Sequence, residues 1–132
     1  ALSRKVRVIA CEIETSTPLA AAFAAGRPVR VERQPSFVDG IGSNGVLDEM
    51  WPLIRELIDQ VVVVKLAEAE RALRDLAFRH HIVAEGAGAV ALAAALSPEC
   101  RGEHVAAIIS GGNIDPAKLC PILEQPEPSA TG

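Results

Sequence analysis

The sequence predicts an α/β fold in which a mostly parallel sheet is flanked by helices in three layers. Short β-branched runs alternate with helical patterns along the 132 residues, and this alternation is typical of strand–helix–strand units. One long run of alanine and glycine is apolar on every side, so we expect it to form a helix buried against the sheet. The composition, 49% hydrophobic with a net charge of −4, is that of one globular domain.

The first predicted unit is a strand followed by a helix. Val6 to Glu12 is a short β-branched run that suits a buried strand. Thr17 and Pro18 then predict a helix start, with threonine as the N-cap and proline in the first turn, and Gly26 predicts its end. Glu12, at the end of the strand, is by itself more typical of a structural residue than of a catalytic one.

A long loop is predicted from Gly26 to Gly45, where GRP, QPS, DG and GSNG supply many turn residues. The segment leaves room for one short strand at Val29 to Glu32. Asp39-Gly40 is a good turn dipeptide that needs no chemistry to explain it. Long loops inside compact domains are nevertheless often functional.

The middle of the chain predicts two amphipathic helices on either side of a second strand. Apolar residues recur at steps of three and four from Val46 to Ile58, with Pro52 as a potential kink. Val61 to Val64 is a second buried strand. From Ala67 to His80, charge pairs alternate with leucine and alanine in a second amphipathic helix.

The last third predicts a buried helix, a strand and a tail. Gly86 to Leu96 is the apolar helix, and Val105 to Ile109 (VAAII) is a third strand. The segment from Glu124 to Gly132 is polar and rich in proline, which favours disorder. The predicted domain therefore comprises residues 1–123, followed by a disordered tail at residues 124–132.

Composition argues against several classes of partner. The longest uncharged apolar stretch is far shorter than the ~20 residues that a membrane span needs, and no cleavable hydrophobic leader is evident. Aromatic residues are 3% of the chain and no basic stripe is present, which disfavours nucleic acid. An odd number of widely spaced cysteines predicts free buried thiols in a reducing, cytoplasmic compartment. These are Cys11, Cys100 and Cys120.

Ligands of parallel sheets bind beyond the carboxyl ends of the strands, where this chain places Glu12, Glu85 and Ser110. Each has an ordinary structural explanation as well. Glu85 is also placed to favour the N-terminus of the next helix electrostatically. The run from Ser110 to Asn113 (SGGN) is equally a turn or a ligand site, since its two glycines permit close approach.

Two further patterns are weak. Gly86 to Ala91 matches the G-x-G-x-x-A spacing of a dinucleotide site, but that site expects an acidic residue where this chain has Ser110. Small residues that let a buried helix pack closely explain the run better. His80 and His81 end a charged helix, and no third ligand accompanies them, so a metal site is disfavoured.

The order of motifs is more specific than any one of them. CE, DGI, MWPLIRELID, VVVV, IVAEGAGAVALAAAL and IISGGNID follow one another between Val6 and about Leu123. This order resembles the threonine/serine dehydratases (ammonia-lyases) and serine racemases, which are fold-type-II pyridoxal-phosphate enzymes. The resemblance implies part of the tryptophan-synthase-β-like fold, and specifically the C-terminal portion of the large catalytic domain.

The resemblance also implies roles for four residues. Ser110 would hydrogen-bond the pyridine nitrogen of pyridoxal 5'-phosphate, with Gly111 beside it. Glu85 would lie near the ring and substrate as a cofactor-binding residue with an auxiliary role in catalysis, and the backbone of Gly40 would line the pocket. A neutral hydroxyl does not hold the ring nitrogen protonated as an aspartate would, which favours elimination of a β-hydroxyl over routes that need a long-lived carbanion.

Two departures from the family pattern stand out. The Schiff-base lysine and the glycine-rich phosphate loop of the family lie upstream of the matched region, and none of this chain's lysines has that context, so all three are expected to be solvated. They are Lys5, Lys65 and Lys118. Family members with a divalent cation use a glutamate that matches Glu12, the carbonyl of Ser16 and an aspartate where this chain has Pro18, so no metal is expected.

The expected enzyme is a pyridoxal-phosphate-dependent dehydratase of L-threonine or L-serine, which eliminates water and yields a 2-oxo acid and ammonia. Without the Schiff-base lysine the isolated chain should be inactive and should not bind the cofactor by itself. A serine racemase-like fragment and a stand-alone, non-catalytic module that binds a small ligand or a partner are the alternatives. The expected partners are an amino-acid substrate, the N-terminal half of the catalytic unit and further copies of the chain, since a cut sheet leaves apolar surface unpaired.

Overall fold

The computed structural model describes residues 6–100 and 104–126. These residues form β1 (Ile9–Ile13), α1 (Pro18–Ala25), α2 (Trp51–Leu57), β2 (Gln60–Val64), α3 (Leu66–Arg79), α4 (Gly86–Leu96) and α5 (Pro116–Leu123). A short 3-10 turn at Pro98–Cys100 follows α4. The alternation of strands and helices confirms the predicted α/β class, and α4 has the predicted bounds.

The two strands pair in parallel, with Ile9 opposite Gln60 and Ile13 opposite Val64. The parallel arrangement confirms the sequence prediction. Val62 and Val64 are buried, whereas Val63 between them is 43% exposed. The second strand is therefore buried mainly on one face within the described residues, and not on both faces as its four valines suggest.

The core lies between this sheet and the helices α3 and α4. Its largest fully buried side chains come from both strands, from both helices and from the loop that precedes α2; they are Ile13, Val38, Val64, Leu73 and Val90. Alanine and glycine fill most of α4, and they let its backbone approach its neighbours closely. Seven of its eleven residues are buried.

Two carboxylates at the end of β1 cap helices. Glu12 is 8% exposed, and its two oxygens accept hydrogen bonds from the backbone N–H groups of Leu19 and Ala20, at 2.7 and 2.8 Å. Glu14 accepts one from the N–H of Leu66 at the start of α3, at 2.7 Å. These bonds satisfy donors that a helix N-terminus leaves unpaired, so Glu12 has a structural role.

Burial raises the pKa of Glu12 above its ordinary value of 4.5, while the two N–H donors act in the opposite direction. The folded chain therefore binds this proton more tightly than the unfolded chain. The resulting contribution to stability is present below about pH 4.5 and is lost as the pH rises through the raised pKa.

The predicted third strand is wrong for the described residues. Ala107 and Ile109 are half-buried and Ile108 is 75% exposed, so the segment keeps the alternation of a strand. A strand also needs a hydrogen-bonded neighbour. Among the described residues β1 and β2 pair only with each other, and Val105 to Ile109 has no ladder.

Three other local predictions also need correction. No strand forms at Val29 to Glu32, which joins the rest of the loop by a bond from the N–H of Val31 to the carbonyl of Asn44. The helix predicted from Val46 begins only at Trp51, because Pro52 suits a first turn and does not kink a longer helix. Thr17 occupies the N-cap of α1 without a side-chain bond, since Glu12 already satisfies the first donors.

The three cysteines are free, as predicted. Cys100 is buried and Cys11 is half-buried, and burial raises the pKa of the Cys11 thiol. The prediction of burial is wrong for Cys120, which lies on an exposed position of α5. Of the predicted tail, residues 127–132 lie outside the described part of the chain.

None of the helices in the described segments is long and apolar enough to cross a membrane. The longest of them, α3, has 14 residues.

Removal of the Glu12 carboxylate should destabilise the fold. We expect Glu12→Ala to lower the free energy of unfolding by about 1–2 kcal/mol, because two N–H groups of α1 lose their acceptors. Urea denaturation followed by circular dichroism measures the change. The exposed Glu32→Ala serves as the control and should stay within about 0.5 kcal/mol of the parent; equal losses in the two variants would contradict the capping role.

Candidate functional site

The structure brings together the four residues that the sequence predicts for the site. Glu85 immediately precedes α4 and is half-buried. Its backbone N–H donates to the carbonyl of Gly111 at 3.1 Å, which joins the start of α4 to the SGGN segment. Gly40, in the long loop, lies close to the carboxylate of Glu85. Ser110 precedes Gly111 in the chain.

The carboxylate of Glu85 lies between two glycines. A Cβ atom at Gly40 would stand 2.9 Å from Oε1 of Glu85, and one at Gly111 would also stand 2.9 Å from that oxygen. Real Cβ atoms do not approach so closely, so a side chain at either glycine would displace the carboxylate. Gly111 also has a φ of +89°, which residues with a Cβ rarely adopt.

The structure confirms the position of Glu85 at the start of α4, where it is the N-cap residue, but shows no hydrogen bond from the helix to its side chain. Instead the carboxylate projects into the gap between Gly40 and Gly111. This leaves its oxygens close to the backbone of two loops and half-open to solvent, where a bound ligand could meet them.

The glycines of α4 serve close packing. A Cβ at Gly86 would stand 2.9 Å from the carbonyl oxygen of Phe37 and 2.9 Å from Cα of Val38, and one at Gly88 would stand 3.2 Å from Cγ2 of Ile109. This contact brings the long loop against the start of the helix. The packing explanation of the G-x-G-x-x-A run therefore holds, and the same packing delivers Gly40 to Glu85.

The SGGN segment forms an exposed turn. Ser110, Gly111 and Gly112 are all exposed, so the Ser110 residue is accessible to a ligand. A Cβ at Gly112 would stand 2.6 Å from the carbonyl oxygen of Val83, which shows that the turn lies tightly against the chain that leads to Glu85. Close packing thus explains the glycine at position 112, and the role of the segment as a ligand site stays a prediction.

An ion pair that sequence reasoning missed borders the site. The ammonium of Lys118 on α5 pairs with the carboxylate of Asp39, the residue before Gly40. The hydrogen bond from Lys118 holds the pKa of Asp39 below its ordinary value of 3.8. The side chain of Lys118 is only 39% exposed, which corrects the expectation of a merely solvated lysine. The two residues lie 79 positions apart, so no local pattern could reveal the pair.

Lys65 behaves as expected of a solvated lysine. It is exposed at the N-cap of α3. Lys5 falls outside the described residues, so its prediction is untested.

A separate recess of about 360 Å³ lies beside Glu12, Ser16 and Pro18. Both oxygens of Glu12 already accept backbone hydrogen bonds, and a proline side chain offers no oxygen. The side chains at this recess are therefore a poor ligand set for a divalent cation, which takes six or more oxygen ligands. Across residues 6–100 and 104–126, no group of three His, Cys, Asp or Glu side chains is placed to hold a metal; His80 and His81 are exposed at the end of α3.

The family model for pyridoxal-phosphate dependent enzymes matches residues 1–111. The L-threonine ammonia-lyase of Thermotoga maritima is 37% identical over 115 residues, which cover 86% of this chain and 29% of that protein. The biosynthetic L-threonine dehydratase of Escherichia coli is 36% identical over 118 residues, covering 86% of this chain and 23% of that protein. The chain thus spans less than a third of the length of these curated relatives.

Solved structures give the same likeness. The crystal structure of a T.th. threonine deaminase matches with a TM-score of 0.79 and 32% identity, covering 86% of this chain and 39% of that one. The structure of maize serine racemase matches with a TM-score of 0.75 and 30% identity, covering 88% of this chain and 38% of that one.

A methyl group at Gly111 should disrupt the site more than the backbone strain alone explains. We expect Gly111→Ala to lower the free energy of unfolding by about 1.5–2 kcal/mol, because the positive φ costs about 1 kcal/mol and the added Cβ must also displace the Glu85 carboxylate. Thermal or urea denaturation measures the loss.

Gly26→Ala is a matched control, since Gly26 has a φ of +67° with nothing within 4 Å of an added Cβ. It should cost only about 1 kcal/mol. In a Glu85→Ala background the cost of Gly111→Ala should fall to that level. Equal costs at the two glycines in the parent would show that the carboxylate does not fill the gap.

Proposed function

The chain belongs to the pyridoxal-phosphate dependent enzymes, and from that premise we propose that it forms the ring-side wall of the active site of an L-threonine or L-serine dehydratase. The observation that carries the proposal is the Glu85 carboxylate held between Gly40 and Gly111, with Ser110 next to them. Relatives named as L-threonine ammonia-lyase and L-threonine dehydratase support the choice of reaction and substrate.

The described residues fit the ring of the cofactor. The Cβ space of Gly40 and Gly111 is filled by the Glu85 carboxylate, so in the proposal the two glycines hold that carboxylate beside the ring while their backbones line the pocket. Ser110 is exposed beside it, so its hydroxyl is available to the ring nitrogen. When bound, pyridoxal phosphate supplies an electron sink for carbon acids.

The neutral hydroxyl of Ser110 sets the strength of that sink in the proposal. A hydroxyl can share a hydrogen bond with a ring nitrogen but does not hold it protonated, as a carboxylate would. Weak electron withdrawal favours early loss of the β-hydroxyl. The proposed role of Glu85 is to hold or transfer a proton at one of its carboxylate oxygens, next to the leaving hydroxyl of the substrate.

The proposed activity belongs to the complete enzyme. Residues 1–123 would be the C-terminal portion of its large catalytic domain, with residues 124–132 as a tail. The Schiff-base lysine and the phosphate-binding loop would come from the preceding part of the catalytic unit. The isolated chain would then be inactive and would not retain the cofactor.

Location and assembly are part of the proposal. Three free cysteines support a reducing, cytoplasmic setting. Exposed apolar side chains at the sheet and after it, among them Val63, Leu96 and Ile108, support association with the rest of the catalytic unit and with further copies as a homo-oligomer.

A serine racemase is the second candidate. The likeness to maize serine racemase favours it, and the same four site residues would serve both reactions. A stand-alone module that binds a small ligand or a partner is the third, from outside the enzymes.

An assay of the complete polypeptide on L-threonine, L-serine and D-serine separates these functions. We expect a 2-oxo acid and ammonia from the L-amino acids. Interconversion of the serine enantiomers without ammonia release would favour the racemase, and a polypeptide that does neither would favour the module. In the isolated chain, borohydride reduction with the cofactor present should leave no pyridoxyl-lysine; a stoichiometric adduct would overturn the proposed division of the site.

Substitution at Ser110 tests the ring contact. In the complete enzyme we expect Ser110→Asp to shift the absorption spectrum of the bound cofactor and to increase side reactions relative to elimination, because a carboxylate stabilises a protonated ring nitrogen. Ser43→Asp, at an exposed serine of the long loop, is the control. An unchanged spectrum and product ratio in Ser110→Asp would refute the role given to Ser110.

A further inference from the structure

We infer that the ion pair between Asp39 and Lys118 sets the spacing of the two glycine walls around Glu85, which makes Lys118 a positioning residue. The inference deepens the proposed function and rests on it for its catalytic consequence. Its structural part, the spacing of the walls, stands on the contacts within the chain.

Asp39, at one end of the pair, is bonded directly to Gly40, the first of the two glycine walls. Asp39 precedes Gly40, and Gly40 lies so close to Glu85 that an added Cβ would stand 2.9 Å from Oε1. The carbonyl of Asp39 also accepts a long hydrogen bond of 3.5 Å from Arg33. A displacement of Asp39 by a few tenths of an ångström would therefore change the gap in which the carboxylate lies.

The other end is tied to the second wall through a short chain of hydrogen bonds. The N–H of Ile114 donates to the carbonyl of Gly112 at 3.1 Å, and the N–H of Lys118 donates to the carbonyl of Asp115 at 2.9 Å. The side chain of Asp115 accepts from the N–H of Ala117 at 2.8 Å and so caps α5. Ile122 is buried further along the same helix. Lys118 thus moves with the turn that carries Gly111.

The pair closes a ring of contacts around one carboxylate. From Glu85 the ring runs through the bond between its N–H and the carbonyl of Gly111, along the turn to Lys118, across to Asp39 and back through Gly40. Among the contacts of this ring, the ion pair alone joins the two loops by attraction between opposite charges, whereas the Glu85 carboxylate only fills the space between them. It therefore controls how far the loops can separate.

Global stability is not what this pair provides. Exposed ion pairs contribute little to the free energy of unfolding and are screened by salt, and both partners are more than a third exposed. A pair of this kind acts on a local equilibrium, here the opening of the gap at Glu85. Its loss should alter the site while leaving the unfolding transition almost unchanged.

Hydrogen exchange in the complete polypeptide tests the structural part. We expect Lys118→Met and Asp39→Asn each to speed exchange of the amide of Glu85, which bonds to Gly111, by roughly two- to fivefold, the range that exposed pairs allow. Lys118→Arg keeps the charge and should restore slow exchange. Arg79→Met breaks the exposed pair with Asp75, 3.3 Å apart on α3, and should leave this amide unaffected.

The structural part fails if Lys118→Met leaves the exchange unchanged, or if Arg79→Met changes it equally. It also fails if the midpoint of unfolding falls in step with the exchange, because that would show a general loss of stability.

Kinetics of the complete enzyme test the catalytic part. We expect Lys118→Met to raise the KM for the amino acid roughly two- to fivefold with kcat within about a factor of two. The difference from the parent should shrink in about 0.5 M salt, which screens the pair. A fall in kcat at constant KM would contradict a positioning role. A complete enzyme without lyase activity would refute the proposed function, whereas the exchange experiment would still decide the ion pair.

Discussion

Close backbone contact at the start of α4 is the constraint on which the rest of the site depends. At Gly86 the helix touches the backbone of Phe37 and Val38 so tightly that no Cβ fits between them. The contact holds the long loop in place although the loop has no regular secondary structure. Because the loop is fixed there, Gly40 reaches Glu85, and Gly111 of the SGGN turn meets the same carboxylate oxygen.

The chain uses its carboxylates near helix starts in different ways. Glu12 and Glu14 accept hydrogen bonds from backbone N–H groups of α1 and α3, and each oxygen of Glu12 accepts one of these bonds. Glu85 stands at a helix start too, but its side chain makes no bond to that helix. Glu12 and Glu14 thus cap helices of the scaffold. The Glu85 carboxylate makes no such bond and lies beside two glycines, which is the arrangement that the proposed chemistry needs.

The matches to a threonine deaminase and a serine racemase cover most of this chain but only part of those proteins. The match to the T.th. threonine deaminase covers 86% of this chain but only 39% of that structure. In the proposed function this chain supplies the wall that carries Glu85 and Ser110, and the Schiff-base lysine would come from another part of the catalytic unit. Val105 to Ile109 keeps the alternating burial of a strand but has no ladder partner among the described residues.

The sequence by itself determined the elements whose signals are local. The bounds of α4 followed from an apolar run, α3 and β2 followed from their periodicity and branching, and the motif order indicated the family. Only the tertiary structure decided that Val105 to Ile109 has no ladder among the described residues. It also decided the placement of Glu85 beside Gly40 and Gly111 and the pairing of Asp39 with Lys118. A ladder, a gap between backbones and an ion pair between residues 79 positions apart all depend on where distant segments meet, and no local pattern encodes that meeting.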